Sequence, residues 1–246
     1  DCLLSRGLGD VYKRQSEIIV NEALEFITQK SRSNISFFVV IWYGTPHSPW
    51  MTLDKDKVPF ENLNEQSMNH YGELVAMDRS IGTLRAGLKK LNLNQETLVW
   101  FTSDNGGLPR INPSTTGGLR DFKGSLYEGG IRVPAIIELP KMINPRVTNY
   151  TASAADIFPT IADVCDLPDN SMLKPQDGIS LTPLFKKELI NRKRPIVFHS
   201  RGRSALILNG HKILSFPKKG KNDSNTYELY DLNKDASESN LSLIHI

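Results

Sequence analysis

The chain has 246 residues, 39% apolar and 23% charged, which suits an ordinary globular protein of one large domain or a domain and a half. Its formal charge is only +3, and its basic clusters, "NRKRP" (191–195) and "KKGK" (218–221), are short for a nucleic-acid binder; they are expected to be solvated loops, with attraction of an anionic substrate as the alternative. The longest apolar run, "FFVVIWY" (37–43), cannot span a membrane, and the two cysteines, Cys2 and Cys165, are too few for a disulfide framework.

The first 20 residues lack the apolar core of a signal peptide. Residues 1–15 and 241–246 have no clear periodicity and resemble adaptor sequence. Both are set aside as non-native, which makes the chain an internal piece of a longer protein. Residues 16–31 read as a helix with Ser16 as N-cap and an apolar line through Ile19, Ala23 and Phe26/Ile27. "ISFFVVIWY" (35–43) reads as a strand buried on both faces. A loop, "GTPHSPW" (44–50), follows. A long helix is expected over about 63–91, where Leu74, Met77, Ile81, Leu84, Leu88 and Leu91 draw one apolar stripe.

"TLVWFT" (97–102) is a second buried strand. Residues 106–132 form a glycine-rich loop of the length that often carries function. "VPAIIEL" (133–139) is a third strand. "SAADIFPTIADVCDL" (153–167) is a helix with Asp156 as N-cap and Pro159 in the first turn. Cys165 is expected to pack in the core. From about 195 the pattern becomes short strands separated by turn residues, with a hairpin at Asn209–Gly210. The expected fold is therefore α/β: a mostly parallel sheet flanked by helices over 16–190, then a small antiparallel β-rich subdomain over 195–240.

In such sheets ligands bind at the carboxyl ends of the strands. One strand leads to His47, another to Asp104 and Asn105, and Lys123 lies in the glycine-rich loop. A carboxylate and an amide carbonyl are hard oxygen donors suited to Ca²⁺ or Mg²⁺. Gly106 and Gly107 would let the backbone turn both toward one ion. An Asx turn or helix cap after the strand explains the same residues. His47 could be a general acid, an anion contact or an exposed loop histidine. Lys123 by itself is a surface lysine, and "EGGIR" (128–132) reads as a turn that a Glu128–Arg132 pair would hold.

Five stretches now stand in order: "YGTPHSPW", "YGELVAMDRSIGTLRAGLKKLNLNQETLVWFTSDNGG", "GGLRDFKGSLYEGGIRVPAIIELP", "DIFPTIADV" and "YELYDLNKDASESN". Together they resemble the later half of the type I sulfatases, of the alkaline-phosphatase-like superfamily, over about 16–240. The resemblance implies that Asp104 and Asn105 are divalent-metal ligands, usually for Ca²⁺. It implies that His47 contacts the sulfate and is a candidate proton donor to the leaving oxygen, and that Lys123 grips a sulfate oxygen. It implies a sulfated small molecule or sulfated glycan as substrate, and a periplasmic, extracellular or lysosomal location.

The family's nucleophile is a formylglycine made from cysteine or serine in a Cys-x-Pro-x-Arg stretch, and its first metal ligands are an Asp-Asp pair. Neither occurs here. "CLLSR" (2–6) has Leu4 where the motif has proline, and it stands too close to His47. Ca²⁺ takes about six to eight oxygens, of which Asp104 and Asn105 supply a minority. The chain by itself is therefore expected neither to bind Ca²⁺ tightly nor to hydrolyse sulfate esters. A phosphonate or phosphodiester hydrolase of the same superfamily, or a non-catalytic binder of sulfated glycans, are the alternatives.

Overall fold

The computed structural model describes residues 14–217 and 225–242. "CLLSR", "KKGK" and the last four residues lie outside the described residues. The chain divides into two compact units: the first runs to Leu98 and includes Arg110–Pro113, and the second holds Val99–Pro109 and the chain from Ser114 on.

The first unit is built on two long helices, α1 (Gln15–Arg32) and α3 (Glu65–Lys90), with a short helix α2 (Asp54–Lys57) between them. Val20 and Ile27 of α1 and Leu88 of α3 are fully buried. Leu24 packs closely on α3: a Cβ at Gly87 would stand 2.4 Å from its Cδ2, so a larger residue there would require the Leu24 side chain to shift. The buried line on α1 is therefore Ser16, Val20 and Ile27, about one position round from the expected one, and Phe26 is exposed. Ser16 does not cap the helix. Arg14 stands at that position without a side-chain bond, and Ser16 is buried within the first turn.

Helix α3 begins where expected, with the Asn64 side chain accepting from Ser67 N at 2.9 Å. Its apolar stripe is only half-buried apart from Leu88. The buried line is small and polar instead: Ser67, His70, Gly72, Glu73, Ala76 and Ser80. That face meets residues 43–56. The stretch 35–43 is extended, as its β-branched composition suggests, but it has no ladder partner among the described residues. Phe38 and Trp42 are 67% and 85% exposed, while Phe37, Val39, Ile41 and Tyr43 are half-buried. The expected burial on both faces is not met, because no described strand flanks it.

In the second unit β1 (Val99–Thr102) pairs antiparallel with β2 (Ala135–Glu138), Val99 opposite Glu138 and Thr102 opposite Ala135. The described residues contain no parallel pair. A single helical turn, α4 (Glu128–Ile131), sits at "EGGI". Helices α5 (Ile157–Val164) and α6 (Thr182–Lys186) precede a four-stranded antiparallel sheet, β3 (Ile196–Ser200), β4 (Arg203–Leu208), β5 (His211–Phe216) and β6 (Thr226–Asp231), paired in sequence order. This is the β-rich part expected from the spacing of turn residues. Asn209 and Gly210, at φ +50° and +80°, make the β4–β5 turn as expected, since a two-residue hairpin of this kind needs both in the left-handed region. Leu126, Ala205, Leu214 and Tyr230 form the core.

Two expectations in this unit fail. "NRKRP" is not wholly solvated: Arg192 is 3% exposed and forks onto Asp156, both bonds 2.8 Å. Asp156 also takes Ile179 N at 2.8 Å, so it is the hub of a buried ion pair as well as a helix-start residue. A charge with a partner fixed in place can leave water, and local composition does not reveal the partner. Cys165, expected in the core, is exposed at the end of α5.

Candidate active site

Strand β1 leads directly to Asp104 and Asn105. Ser103 Oγ donates to the Asn105 carbonyl at 3.0 Å and fixes the turn. Asp104 is exposed. Asn105 is half-buried, and its Oδ1 is buried with no hydrogen-bond partner. An amide oxygen removed from water without a donor is unfavourable unless something positive meets it. The donor set, one carboxylate and one amide oxygen, suits a hard divalent cation. Among the described residues no group of three or more His, Cys, Asp or Glu side chains is placed to share an ion.

The glycines after Asn105 serve a different purpose from the expected one. Neither adopts a positive φ. A Cβ at Gly106 would lie 2.0 Å from the Gly129 carbonyl oxygen, and one at Gly107 would lie 2.3 Å from Thr115 Oγ1. Gly129 and Gly130 are equally confined, at 2.2 Å from the Asp121 oxygen and 2.3 Å from the Ser125 oxygen. The four glycines let three backbone segments touch. Gly106 N bonds Gly130 O at 2.9 Å, and Lys123 N bonds Gly107 O at 2.8 Å. Lys123 is thereby laced to the turn two residues beyond Asn105, with its side chain exposed.

A buried charge network stands behind this glycine cage. Lys212, 0% exposed, lies 3.0 Å from Glu128 Oε1 and 2.7 Å from Glu238 Oε1, and Glu128 N donates to Glu238 Oε2 at 2.6 Å. Burial pushes the Glu238 carboxyl up, opposed mainly by Lys212. Arg132 does approach Glu128, as expected, but at 3.8 Å and from a largely exposed position. Arg120 stacks 3.8 Å over the Tyr127 ring and donates to Tyr230 Oη and to the Glu238 carbonyl, each at 2.9 Å. Burial, reinforced by Glu228, raises the Tyr127 phenol above its ordinary range and holds it protonated as a donor.

His47 belongs to the first unit. It is exposed, with Nδ1 2.7 Å from the Ser48 carbonyl and its backbone N bonded to Gly44 O at 2.8 Å. Its loop is tied to α3. The Glu73 carboxylate accepts from Met51 N at 2.6 Å and from the Thr45 hydroxyl. The Pro46 carbonyl accepts from Trp50 Nε1 at 2.8 Å and from His70. Burial pushes Glu73 up to about 7, with the Met51 and Thr45 bonds opposing. Burial also lowers His70.

Of the four residues singled out in the sequence, Asp104, Asn105 and Lys123 are joined within the second unit, and His47 stands in the first. Sequence reading missed Glu73, Lys212, Glu238 and Arg120. Two of these left a signal. Lys212 is two residues from Leu214 in a strand, so the two share a face. Glu73 lies on the small-residue line of α3, three residues from His70 and Ala76.

The sheet-and-helix framework, the polar turn at the end of β1 and the C-terminal antiparallel sheet define an α/β fold of the alkaline-phosphatase-like class. A solved structure, that of Ps i-CgsB, matches with a TM-score of 0.80 at 29% identity, covering 92% of this chain and 50% of that one. That of the PsFucS1 sulfatase from Pseudoalteromonas sp. shares the fold with a TM-score of 0.79 at 22% identity, covering 94% and 48%. The family profile described as Sulfatase matches residues 4–167. Human arylsulfatase A (Homo sapiens) is 32% identical over 192 residues, 68% of this chain and 37% of its own length. The chain belongs to the sulfatase family, as a type I sulfatase. It spans half or less of the length of these relatives.

Proposed function

We propose that the chain is the later part of a sulfuric ester hydrolase. In this reading Asp104 and Asn105 hold a divalent cation, Ca²⁺ or Mg²⁺. Lys123 holds a sulfate oxygen, and His47 gives a proton to the leaving oxygen. The observation that carries it is the buried, partnerless Asn105 Oδ1 beside Asp104, with Lys123 tied by its backbone to the same turn. Sulfate ester cleavage builds negative charge on the sulfonyl oxygens and on the departing alkoxide. A bound cation would supply Lewis-acid polarisation at that centre. Lys123 would orient and neutralise the sulfate. His47, with Nδ1 against the Ser48 carbonyl, would present Nε2 as the proton carrier.

The nucleophile and the remaining cation ligands would come from sequence outside this chain. Two facts support this. Two donors fall short of the six to eight oxygens Ca²⁺ usually takes. The stretch 35–43 has no ladder partner among the described residues and exposes the large apolar side chains of Trp42 and Phe38. The substrate class is a sulfated small molecule or sulfated glycan. The related Ps i-CgsB has been solved in complex with k-i-k-neocarrahexaose, which favours the glycan. The location is periplasmic, extracellular or lysosomal; no helix among the described residues is long and apolar enough to cross a membrane.

The test is turnover of an aryl sulfate by this chain and by the same chain joined to its upstream reading frame. The chain alone is expected to be inactive and the joined protein active. Asn105→Ala or Lys123→Ala should lower kcat of the joined protein by about 10²–10³. Turnover by the chain alone would defeat the missing-half reading. An active joined protein indifferent to both substitutions would defeat the assigned roles.

A further inference from the structure

The loop carrying His47 is held at both of its ends by one carboxyl group. The Glu73 side chain of α3 takes Met51 N at 2.6 Å and the Thr45 hydroxyl, the two ends of the stretch that contains His47. His70, one turn earlier on the same helix, donates to the Pro46 carbonyl. Trp50 donates to that same carbonyl, and its ring meets the His70 ring edge-on at 5.8 Å. Gly72 lies between them, where a Cβ would stand 2.7 Å from Thr52 Cγ2 and 3.2 Å from the Asp56 carbonyl oxygen, so a larger residue would press on the loop.

We propose that Glu73 is the positioning residue of the His47 loop: by clamping residues 45 and 51 it fixes where His47 stands, and its protonation state sets how firmly the loop is held. His47 itself makes no bond to α3; it bonds Ser48 O through its ring and Gly44 O through its backbone. Its place is therefore inherited from the clamp. The importance of the loop for chemistry rests on the role proposed for His47; the clamp does not.

Among the carboxyl groups around the loop, Glu73 is the one that burial carries up toward neutrality. Arg79 of α3 is engaged by Asp56 of α2 and Glu17 of α1. Burial holds His70 below its ordinary value and raises the Tyr43 phenol. His47 is exposed to water. Proton linkage gives the direction. With the loop closed, burial raises the Glu73 carboxyl to about 7, well above the ordinary carboxylate range. With the loop open, the carboxyl returns toward that ordinary value. The closed loop thus binds the proton better, so closure is strongest at acid pH and weakens as pH rises through 7.

Hydrogen exchange of the 44–52 backbone in the full chain, corrected for intrinsic rates, tests this at pH 5 and pH 8. In the wild type, protection of 44–52 should fall by at least about tenfold at pH 8. Glu73→Gln keeps the acceptor and mimics the protonated acid, so it should hold protection at both pH values. Glu73→Ala should lose it at both, while the 74–90 segment of α3 remains as in wild type. If Glu73→Gln keeps the wild-type pH dependence, or Glu73→Ala leaves 44–52 unchanged, the clamp is overturned. Should Glu73→Ala loosen α3 as well, the Glu73→Gln comparison decides. The measurement reads loop order without substrate, so its failure leaves the sulfatase reading standing, and absence of sulfate turnover leaves the clamp standing.

Discussion

The two units hold their candidate site residues in opposite ways. In the first, His47 rides on a loop strapped by side chains: Glu73, His70 and Trp50 bind backbone groups of the loop. In the second, Asp104, Asn105 and Lys123 are fixed by backbone against backbone, through contacts that four glycines make possible. A side-chain strap can titrate, and it tolerates an isosteric replacement. A glycine cage has no proton to lose and no room for any larger residue. In the proposed reading, the strap holds the residue assigned a proton transfer and the cage holds residues assigned only to bind.

The largest effect should come from the charge network behind the cage. Lys212→Met leaves Glu128 and Glu238 buried and uncompensated, and should cost about 3–5 kcal/mol in urea unfolding. If the cost is under about 1 kcal/mol, the network does not support the cage. Next comes the cage itself. Gly106→Ala would push a methyl against the Gly129 backbone and should cost about 1–3 kcal/mol. It should also shift the amide resonances of Lys123 and Gly107, because their hydrogen bond depends on the same approach. Unshifted resonances would mean that the glycines act independently.

The smallest effect has the opposite sign and belongs to the first unit. Gly82 lies inside α3 with nothing within 4 Å of an added Cβ. Gly82→Ala should therefore raise stability by about 0.5–1 kcal/mol, read as a higher midpoint in the same unfolding experiment. Gly106 and Gly82 look alike in a sequence. Their responses should differ in sign because one stands against backbone and the other against open space.

Much of the local structure was legible without coordinates. Asn64 caps α3 within two residues of the expected start because its side chain can satisfy Ser67 N locally. The Asn209–Gly210 turn was legible because few residues accept two consecutive positive φ values. The strand ending at Asp104 and Asn105 was legible as apolar residues running into hard-oxygen donors. The order of the five stretches carried the family. The stripe on α3 misled, because apolar periodicity marks a face able to be buried, while the face that is buried depends on what the rest of the chain brings to it.

By itself, then, the sequence determined much of what short-range physics decides: the start of α3, the Asn209–Gly210 turn, the apolar run of β1 and the chemical types of Asp104, Asn105, Lys123 and His47. The tertiary structure decided everything that needs a distant partner. Lys212 is buried because Glu128, 84 positions away, lies beside it. Arg192 is buried because Asp156, 36 positions away, takes both its donors. Gly106 is required because Gly129 and Gly130 return to touch it. Desolvating a charge or closing two backbones is favourable only when the partner is already in place, and no local pattern of residues states where that partner will be.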